Sequence, residues 1–322
     1  MLEAAMAAGV GSAGMAAGLI GVIPTPGVAY LSTCLEGVGA GVMISASHNP
    51  FYDNGIKVFQ KGGLKLTDVQ EQALEADIYN PEIVPRKDVG KISIISDGLK
   101  RYARFLQGRF PFRKLSSRIK LVVDAANGAA SEICHQVFTD QLFDAVFIHD
   151  TPDGFNINQD CGSQHTSDLQ KQVKAWKADL GIAFDGDADR MIAVDETGEI
   201  ITGDRILAIC AKHARERNQL KNNCVVSTVM SNIGLTRALD DLGITHIRTG
   251  VGDRQVLAEM QQTGAVMGGE DSGHMIFLDD QTTGDGLLSA LRLITVMAQT
   301  GRTLSDLAGV MQVFPQVLKN VE

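Results

Sequence analysis

Three short strings in this chain bring reactive side chains close together. The first is Ser45-Ala46-Ser47-His48-Asn49-Pro50, followed by Asp53-Asn54-Gly55-Ile56-Lys57. An apolar run, Gly41–Ser45, leads straight into this polar turn. A hydroxyl is thereby presented at the end of a predicted strand, where an α/β fold can use a nucleophile. His48 is adjacent and Lys57 follows in the next string. The competing reading is a polar turn whose hydroxyls cap a loop, and the string alone leaves both open.

The second string is Asp185-Gly186-Asp187-Ala188-Asp189-Arg190, between the apolar runs Leu180–Phe184 and Met191–Val194. Carboxylates at alternate positions of a tight loop can converge on one hard cation, and the small residues between them leave room. A calcium-binding EF-hand is excluded. Arg190 stands where that loop needs glycine, and the flanks read as strands rather than helices. A merely solvated acidic turn is disfavoured, because carboxylates this close repel one another without a cation. The third string, Gly268-Gly269-Glu270-Asp271-Ser272-Gly273-His274, offers carboxylate, hydroxyl and imidazole on one loop. That mixture of donors and acceptors suits sugar hydroxyls. A lone histidine is more often structural, but the flanking glycines favour a functional loop.

These loops need a scaffold, and the chain alternates short apolar runs with helix-like segments. Strands are predicted at 41–45, 120–124, 145–149, 180–184, 191–195, 225–228, 244–248 and 265–268. Helices are predicted at 68–76, 98–107, 131–138, 167–176, 204–216, 234–242, 253–262 and 284–298. This rhythm predicts consecutive α/β domains with mixed, mainly parallel sheets. Polar stretches near 79–92 and at Glu196–Glu199 divide the chain into 1–90, 91–198 and 199–312, with 313–322 beginning a linker. The uncharged stretch Ala4–Ile23 is mostly Ala and Gly. It reads as a helix from Leu2 and a short strand near Leu19–Ile23, not as a membrane span or signal peptide.

Composition narrows the function classes. Hydrophobic residues make up 44% and charged residues 21%, enough apolar material for real cores. A formal charge of −9 without a basic cluster argues against nucleic-acid binding, yet leaves room for a locally positive site that takes an anion. The cysteines at 34, 134, 161, 210 and 224 are odd in number and lack Cys-x-x-Cys spacing. Reduced thiols of a cytoplasmic protein are expected.

In order and spacing, the three strings resemble those of the α-D-phosphohexomutase family, and the resemblance runs along essentially the whole chain. Asn49–Lys57, Gly250–Arg254 and Thr282–Gly286 are similar to the branch that acts on glucosamine phosphate. The resemblance implies that Ser47 carries a transferable phosphate. It implies one Mg²⁺ per chain, held by Asp185, Asp187, Asp189 and the serine phosphate. His48, Lys57, Arg190 and His274 would line the reaction centre. Glu270, Ser272, Asp253 and Arg254 would contact the sugar phosphate. The implied reaction interconverts glucosamine 6-phosphate and glucosamine 1-phosphate through a 1,6-bisphosphate, for UDP-N-acetylglucosamine and cell-wall precursor synthesis. A glucose or glucosamine 1,6-bisphosphate, or a kinase, would charge the serine. The phosphosugar is then the only partner expected besides a second copy in a homodimer, with no nucleic acid and no membrane. The rivals are a phosphomannomutase or phosphoglucomutase, a metal-dependent phosphatase, and a remnant that binds metal without turnover.

Several departures from the family accompany this. Members open with a Gly-Ile-Arg segment and end with a fourth domain bearing an Arg-x-Ser-Gly-Thr-Glu-Pro loop, and neither occurs here. The expectation is a fragment with an incomplete first domain, complete second and third domains, and slow turnover. Ala188 replaces a common Gly, and Asp271 a common Gln or Met.

Overall fold

The computed structural model describes residues 1–79, 88–111, 115, 117–317 and 319. They form successive α/β units around mixed sheets. Part of the predicted 79–92 boundary and the end of the predicted linker lie outside the described residues.

The first unit holds α1 (Leu2–Ser12), β1 (Ala17–Leu19), α2 (Thr25–Cys34), β2 (Ala40–Ser45), β3 (Gly55–Gln60) and α3 (Asp68–Tyr79). β2 and β3 pair antiparallel with Ser45 opposite Gly55, so residues 46–54 form the connecting loop. β1 pairs in parallel with β4 (Ile92–Ile94). The strand expected near Leu19–Ile23 sits earlier, at Ala17–Leu19. Gly21 turns with φ 81° and Pro24 then prepares a helix start, so extended backbone cannot continue. Pro26, in the first turn of α2, loses no helical hydrogen bond there, since the N–H it lacks would be an orphan anyway.

The second unit comprises α4 (Gly98–Arg109), β5 (Ile119–Asp124), α5 (Ala130–Val137), β6 (Phe143–Ile148), α6 (Ser167–Trp176), β7 (Leu180–Phe184), β8 (Met191–Asp195) and β9 (Ile200–Ile201). Its sheet runs β6-β5-β7-β8-β9, parallel through β7 and antiparallel beyond. Every residue of β7 and β8 is buried, which explains their unbroken apolar runs. Leu169 and Val173 of α6 cover one face, against Val122, Ala183 and Val194. The turn Glu196–Glu199 lies close to the end of this unit. It is the tip of the β8–β9 hairpin, where Asp195 Oδ1 accepts the N–H groups of Thr197 and Glu199, and the sheet continues to Ile201.

The third unit contains α7 (Gly203–Glu216), β10 (Cys224–Thr228), α8 (Ile233–Asp241), β11 (Thr245–Thr249), α9 (Asp253–Thr263), β12 (Met267–Gly269), β13 (Met275–Phe277), α10 (Gly286–Thr300) and α11 (Leu304–Ala308). The sheet order is β11-β10-β12-β13, with only β13 antiparallel. Val256 and Met260 of α9 pack on one face against Val226 and Ile276. The other face joins a core that runs without interruption through all three units, from Ile23 to Met311. Among the described residues no helix is long and apolar enough to cross a membrane.

The consequence for chemistry is positional. The serine string follows β2, the aspartate string follows β7, and the third string follows β12. Each therefore leaves the carboxyl end of a strand, where α/β sheets expose loops to ligands.

Buried polar groups tie the units together. The Tyr102 hydroxyl of α4 donates to Asp285 Oδ2 at 2.8 Å, and Asp285 Oδ1 caps α10 by accepting the Leu288 N–H. Both residues are fully buried. Tyr102→Phe leaves that carboxyl short of a donor and should cost about 1–3 kcal/mol, read as a lower urea midpoint with an unchanged slope.

Asp204, at the start of α7, is buried, with Oδ2 accepting the Asn232 N–H at 2.6 Å and Oδ1 unpartnered among the described residues. Burial, then the nearby Asp271, pushes its carboxyl up to about 7. The folded chain thus binds this proton more tightly than the unfolded chain does. Its stabilising contribution is complete below about pH 4 and is lost as the pH rises through about 7. Asp204→Asn should therefore gain thermal stability on the wild type as the pH is raised across that window, in melts recorded at matched ionic strength.

Candidate active site

Ser47 sits at the turn of the β2–β3 loop with φ 52°, a left-handed conformation that costs a non-glycine residue energy. Ser45, buried at the end of β2, holds the turn by accepting the Ser47 N–H on Oγ at 2.7 Å. From the second unit, Asn158 Nδ2 donates to the carbonyls of both Ser47 (2.9 Å) and Asn49 (2.8 Å). Ser47 Oγ lies 3.5 Å from Asp185 Oδ2 and 3.4 Å from His48 Nδ1. Gly186 is required where the two loops meet, since a Cβ there would lie 2.5 Å from the Ser47 carbonyl oxygen.

The aspartate loop turns back on itself through Ala188, at φ 54°. That left-handed backbone explains why glycine suits the position better. Asp185, Asp187 and Asp189 are all buried, and each offers an oxygen within 4.8 Å of the others. Lys57, on β3, donates to Asp187 Oδ2 (2.6 Å) and Asp189 Oδ2 (2.9 Å). Burial opposes the Lys57 charge, but Asp189 and Asp187 outweigh it and hold the ammonium above its ordinary range. Burial, with Asp189 and Asp187 adding, pushes Asp185 well above the usual carboxylate range. For Asp189, burial works upward, but Lys57 and His274 overcome it and hold the group well below that range.

His274 is buried at the entry to β13. Its Nδ1 is 3.6 Å from Asp189 Oδ1, its Nε2 is 3.7 Å from Asp253 Oδ2, and Nε2 accepts the Gly284 N–H at 3.2 Å. Asp253 also pairs with Lys65. Burial would raise the Asp253 carboxyl, yet His274 and Lys65 hold it down at about 2. Burial, then Arg190, lowers His48. Arg190 Nε is buried 4.0 Å from Asp189 Oδ1. Between the first and third units lies a cleft of about 400 Å³, lined by Ile56, Lys57, Lys65, Gly252 and Arg254 among others.

The structure thus brings Ser47, His48, Lys57, Arg190, His274 and the three aspartates into one cluster, with Asp253 at its edge. Glu270 accepts the Gly252 N–H and braces the loop before α9. Ser272 is exposed on its loop. Arg254 points its guanidinium at Asp68 and Glu71 of α3, on the wall of the cleft. Thr25, Asn158 and Lys65 were not anticipated. Pro26 marks the helix that carries Thr25, but no spacing rule connects it to an aspartate 162 positions away.

The aspartate cluster fits a hard cation. Its donors are all oxygen, and Asp187 Oδ1 and Asp189 Oδ1 are buried with no hydrogen-bond partner among the described residues. A second group, Asp124, His149 and Cys161, is equally close-set. There both Asp124 oxygens already accept backbone N–H groups, from Ala126 and Gly162. Burial also pushes the Cys161 thiol up to about 12, so this group reads as a loop brace.

Models of the phosphoglucomutase/phosphomannomutase family match in order. Domain I matches residues 1–83, domain II residues 100–198 and domain III residues 202–314. The chain belongs to this family. Among curated members, a phosphoglucosamine mutase of Desulforapulum autotrophicum is 56% identical, aligned over 100% of this chain and 73% of that protein. Another, from Geobacillus thermodenitrificans, is 48% identical over 100% of this chain and 72% of its own length. The crystal structure of a family member from Burkholderia thailandensis superposes with a TM-score of 0.84 at 28% identity, covering 98% of this chain and 69% of that one. The three units described above correspond to the α/β/α domains I, II and III of this family.

If the aspartate cluster holds Mg²⁺, the ion stabilises the folded chain by mass action. At a hundredfold excess over its dissociation constant, the gain should be about 2.7 kcal/mol. Asp187→Asn should abolish most of it in thermal melts with and without Mg²⁺. An equal gain in both proteins would remove Asp187 from the site.

Proposed function

We propose that this chain is a phosphoglucosamine mutase, an isomerase that interconverts glucosamine 6-phosphate and glucosamine 1-phosphate, with Ser47 as phosphoryl carrier. The observation that carries the reading is the placement of the Ser47 hydroxyl 3.5 Å from Asp185, beside a buried aspartate cluster and the Lys57 ammonium. The amino-sugar substrate is supported by the relatives, which bear that name at 44–56% identity along the whole chain.

The chemistry follows from the groups present. The phosphate on Ser47 passes to the O1 hydroxyl of glucosamine 6-phosphate. The bond from phosphorus to Oγ breaks and one to O1 forms, while the O1 proton passes through a base to Oγ, which leaves as the serine hydroxyl. The resulting 1,6-bisphosphate turns end for end. Oγ then gives up its proton through the base to O6 as the bond from phosphorus to O6 breaks and one to Oγ forms, giving glucosamine 1-phosphate and phosphorylated Ser47. Asp185, Asp187 and Asp189 would hold Mg²⁺, which when bound would supply charge neutralisation for the transferring phosphoryl group. Lys57 is held cationic, so it serves as an electrostatic partner rather than as a base. His48, lowered by burial and Arg190, is neutral near pH 7 and can accept a proton beside Oγ. His274, fixed by the Gly284 N–H, orients toward the same centre. Arg190, Glu270, Asp253 and Ser272 are assigned to phosphate and sugar contacts. A sugar 1,6-bisphosphate or a kinase supplies the first phosphate.

Incubation with glucose 1,6-bisphosphate and Mg²⁺ should place phosphate on the Ser47 peptide by mass mapping. Ser47→Ala should lose it, along with isomerase activity by on the order of 10⁴-fold or more in a coupled assay. Phosphate confined to other serines would refute the assignment. A higher kcat/KM for mannose 1-phosphate than for glucosamine phosphate would move the chain to a neighbouring branch. Release of inorganic phosphate in place of isomerisation would mark a phosphatase.

A further inference from the structure

The first turn of α2 does something its own helix does not need. Thr25 is fully buried and makes no capping bond to α2. Its N–H donates instead to the Asp187 carbonyl at 3.0 Å, and its hydroxyl donates to Asp187 Oδ2. Lys57 donates to the same Oδ2. One oxygen of Asp187 is thus held by two donors from the first unit, while Oδ1 is buried without a hydrogen-bond partner among the described residues. Threonine normally spends its hydroxyl on nearby backbone, most often at a helix start. Here it reaches an aspartate 162 positions away, in another unit. The next residue, Pro26, accepts a bond on its carbonyl from Gln281 Nε2 of the third unit at 3.1 Å, so the helix start is gripped from both sides.

We infer that Thr25 is a positioning residue for the metal-binding loop. By holding Oδ2, it fixes the rotation of the Asp187 carboxylate and leaves Oδ1 as the oxygen free for a cation. By bonding the Asp187 main chain as well, it sets the height of the loop against the unit that carries Ser47 and Lys57. The inference rests on the proposed Mg²⁺ site. A merely structural Thr25 would change stability without changing cation affinity, and that difference is measurable.

The test is calorimetric titration of Mg²⁺ into dephosphorylated full chain, comparing wild type, Thr25→Val, Thr25→Ser and Asp187→Asn. Valine keeps the shape and removes the donor, while serine keeps the donor. Partners one shell outside a metal's ligands typically govern about 10–100-fold in affinity. Thr25→Val should therefore weaken Mg²⁺ by at least about tenfold, and Thr25→Ser should stay within about threefold of wild type. If Thr25→Val does not fold, Thr25→Cys, of similar size and a poor donor, takes its place with the same expected loss. Wild-type affinity in the folded Val or Cys variant overturns the inference while leaving the metal site standing. Undiminished affinity in Asp187→Asn, or no saturable binding to wild type, overturns the metal site and this inference with it.

Discussion

Three buried carboxylates set the terms for the rest of this molecule. At an effective dielectric of about 20, two like charges about 4 Å apart repel by roughly 4 kcal/mol, so the loop after β7 cannot hold three bare negative charges unaided. The chain answers with groups drawn from every unit. Lys57 and Thr25 come from the first, the Arg190 N–H from the loop itself, and His274 from the third. Burial meanwhile drives Asp185 toward its neutral form. The electrostatic need at one loop is therefore met by contacts that join the three units. The Ser47 loop then lies against Gly186, so closely that only a residue without a Cβ fits there.

The same arrangement separates roles among chemically similar groups. Lys57 and Lys65 both line the cleft between the first and third units, and each reaches a carboxylate of another unit. Lys57 is committed to Asp187 and Asp189, whereas Lys65 secures Asp253 beside His274. His48 and His274 approach the centre from opposite units. Only His274 has its ring pinned by a backbone donor, and a Cβ on Gly284 would strike that ring at 2.4 Å. Arg254 illustrates the opposite outcome. Its fork is drawn to Asp68 and Glu71, where it ties α9 to α3 instead of facing the aspartate loop.

What could be read from the letters was what local spacing encodes. The fully buried strands β7 and β8 and the amphipathic helices α6 and α7 fell close to their predicted limits, because burial on both faces or on one stripe leaves a strong pattern. The strings carrying Ser47, the aspartates and His274 were legible because each packs its chemistry into a few consecutive residues. β3 was not, since its charged Lys57 and polar ends obscure a strand that exists to complete a hairpin. The short β4, β9 and β13 escaped for want of length, β1 lies slightly earlier than its expected place, and α2 escaped because burial of seven of its ten residues leaves little periodic contrast. Thr25, Asn158 and Lys65 were illegible for a different reason. Their partners lie from 109 to 188 positions away, and only the docked fold makes them neighbours.

Several contacts that join the units are made to main-chain oxygens. Asn158 reads the carbonyls of Ser47 and Asn49, Gln281 reads that of Pro26, and Thr282 that of Gly63. A carbonyl is present whatever side chain its residue bears. The accepting positions can therefore drift in sequence without loosening the joint, while the donating positions cannot. Paired substitutions across these joints would leave little covariation behind, so a contact map inferred from correlated changes would find the strands of this molecule and pass over the bonds that hold the loops of its candidate site together.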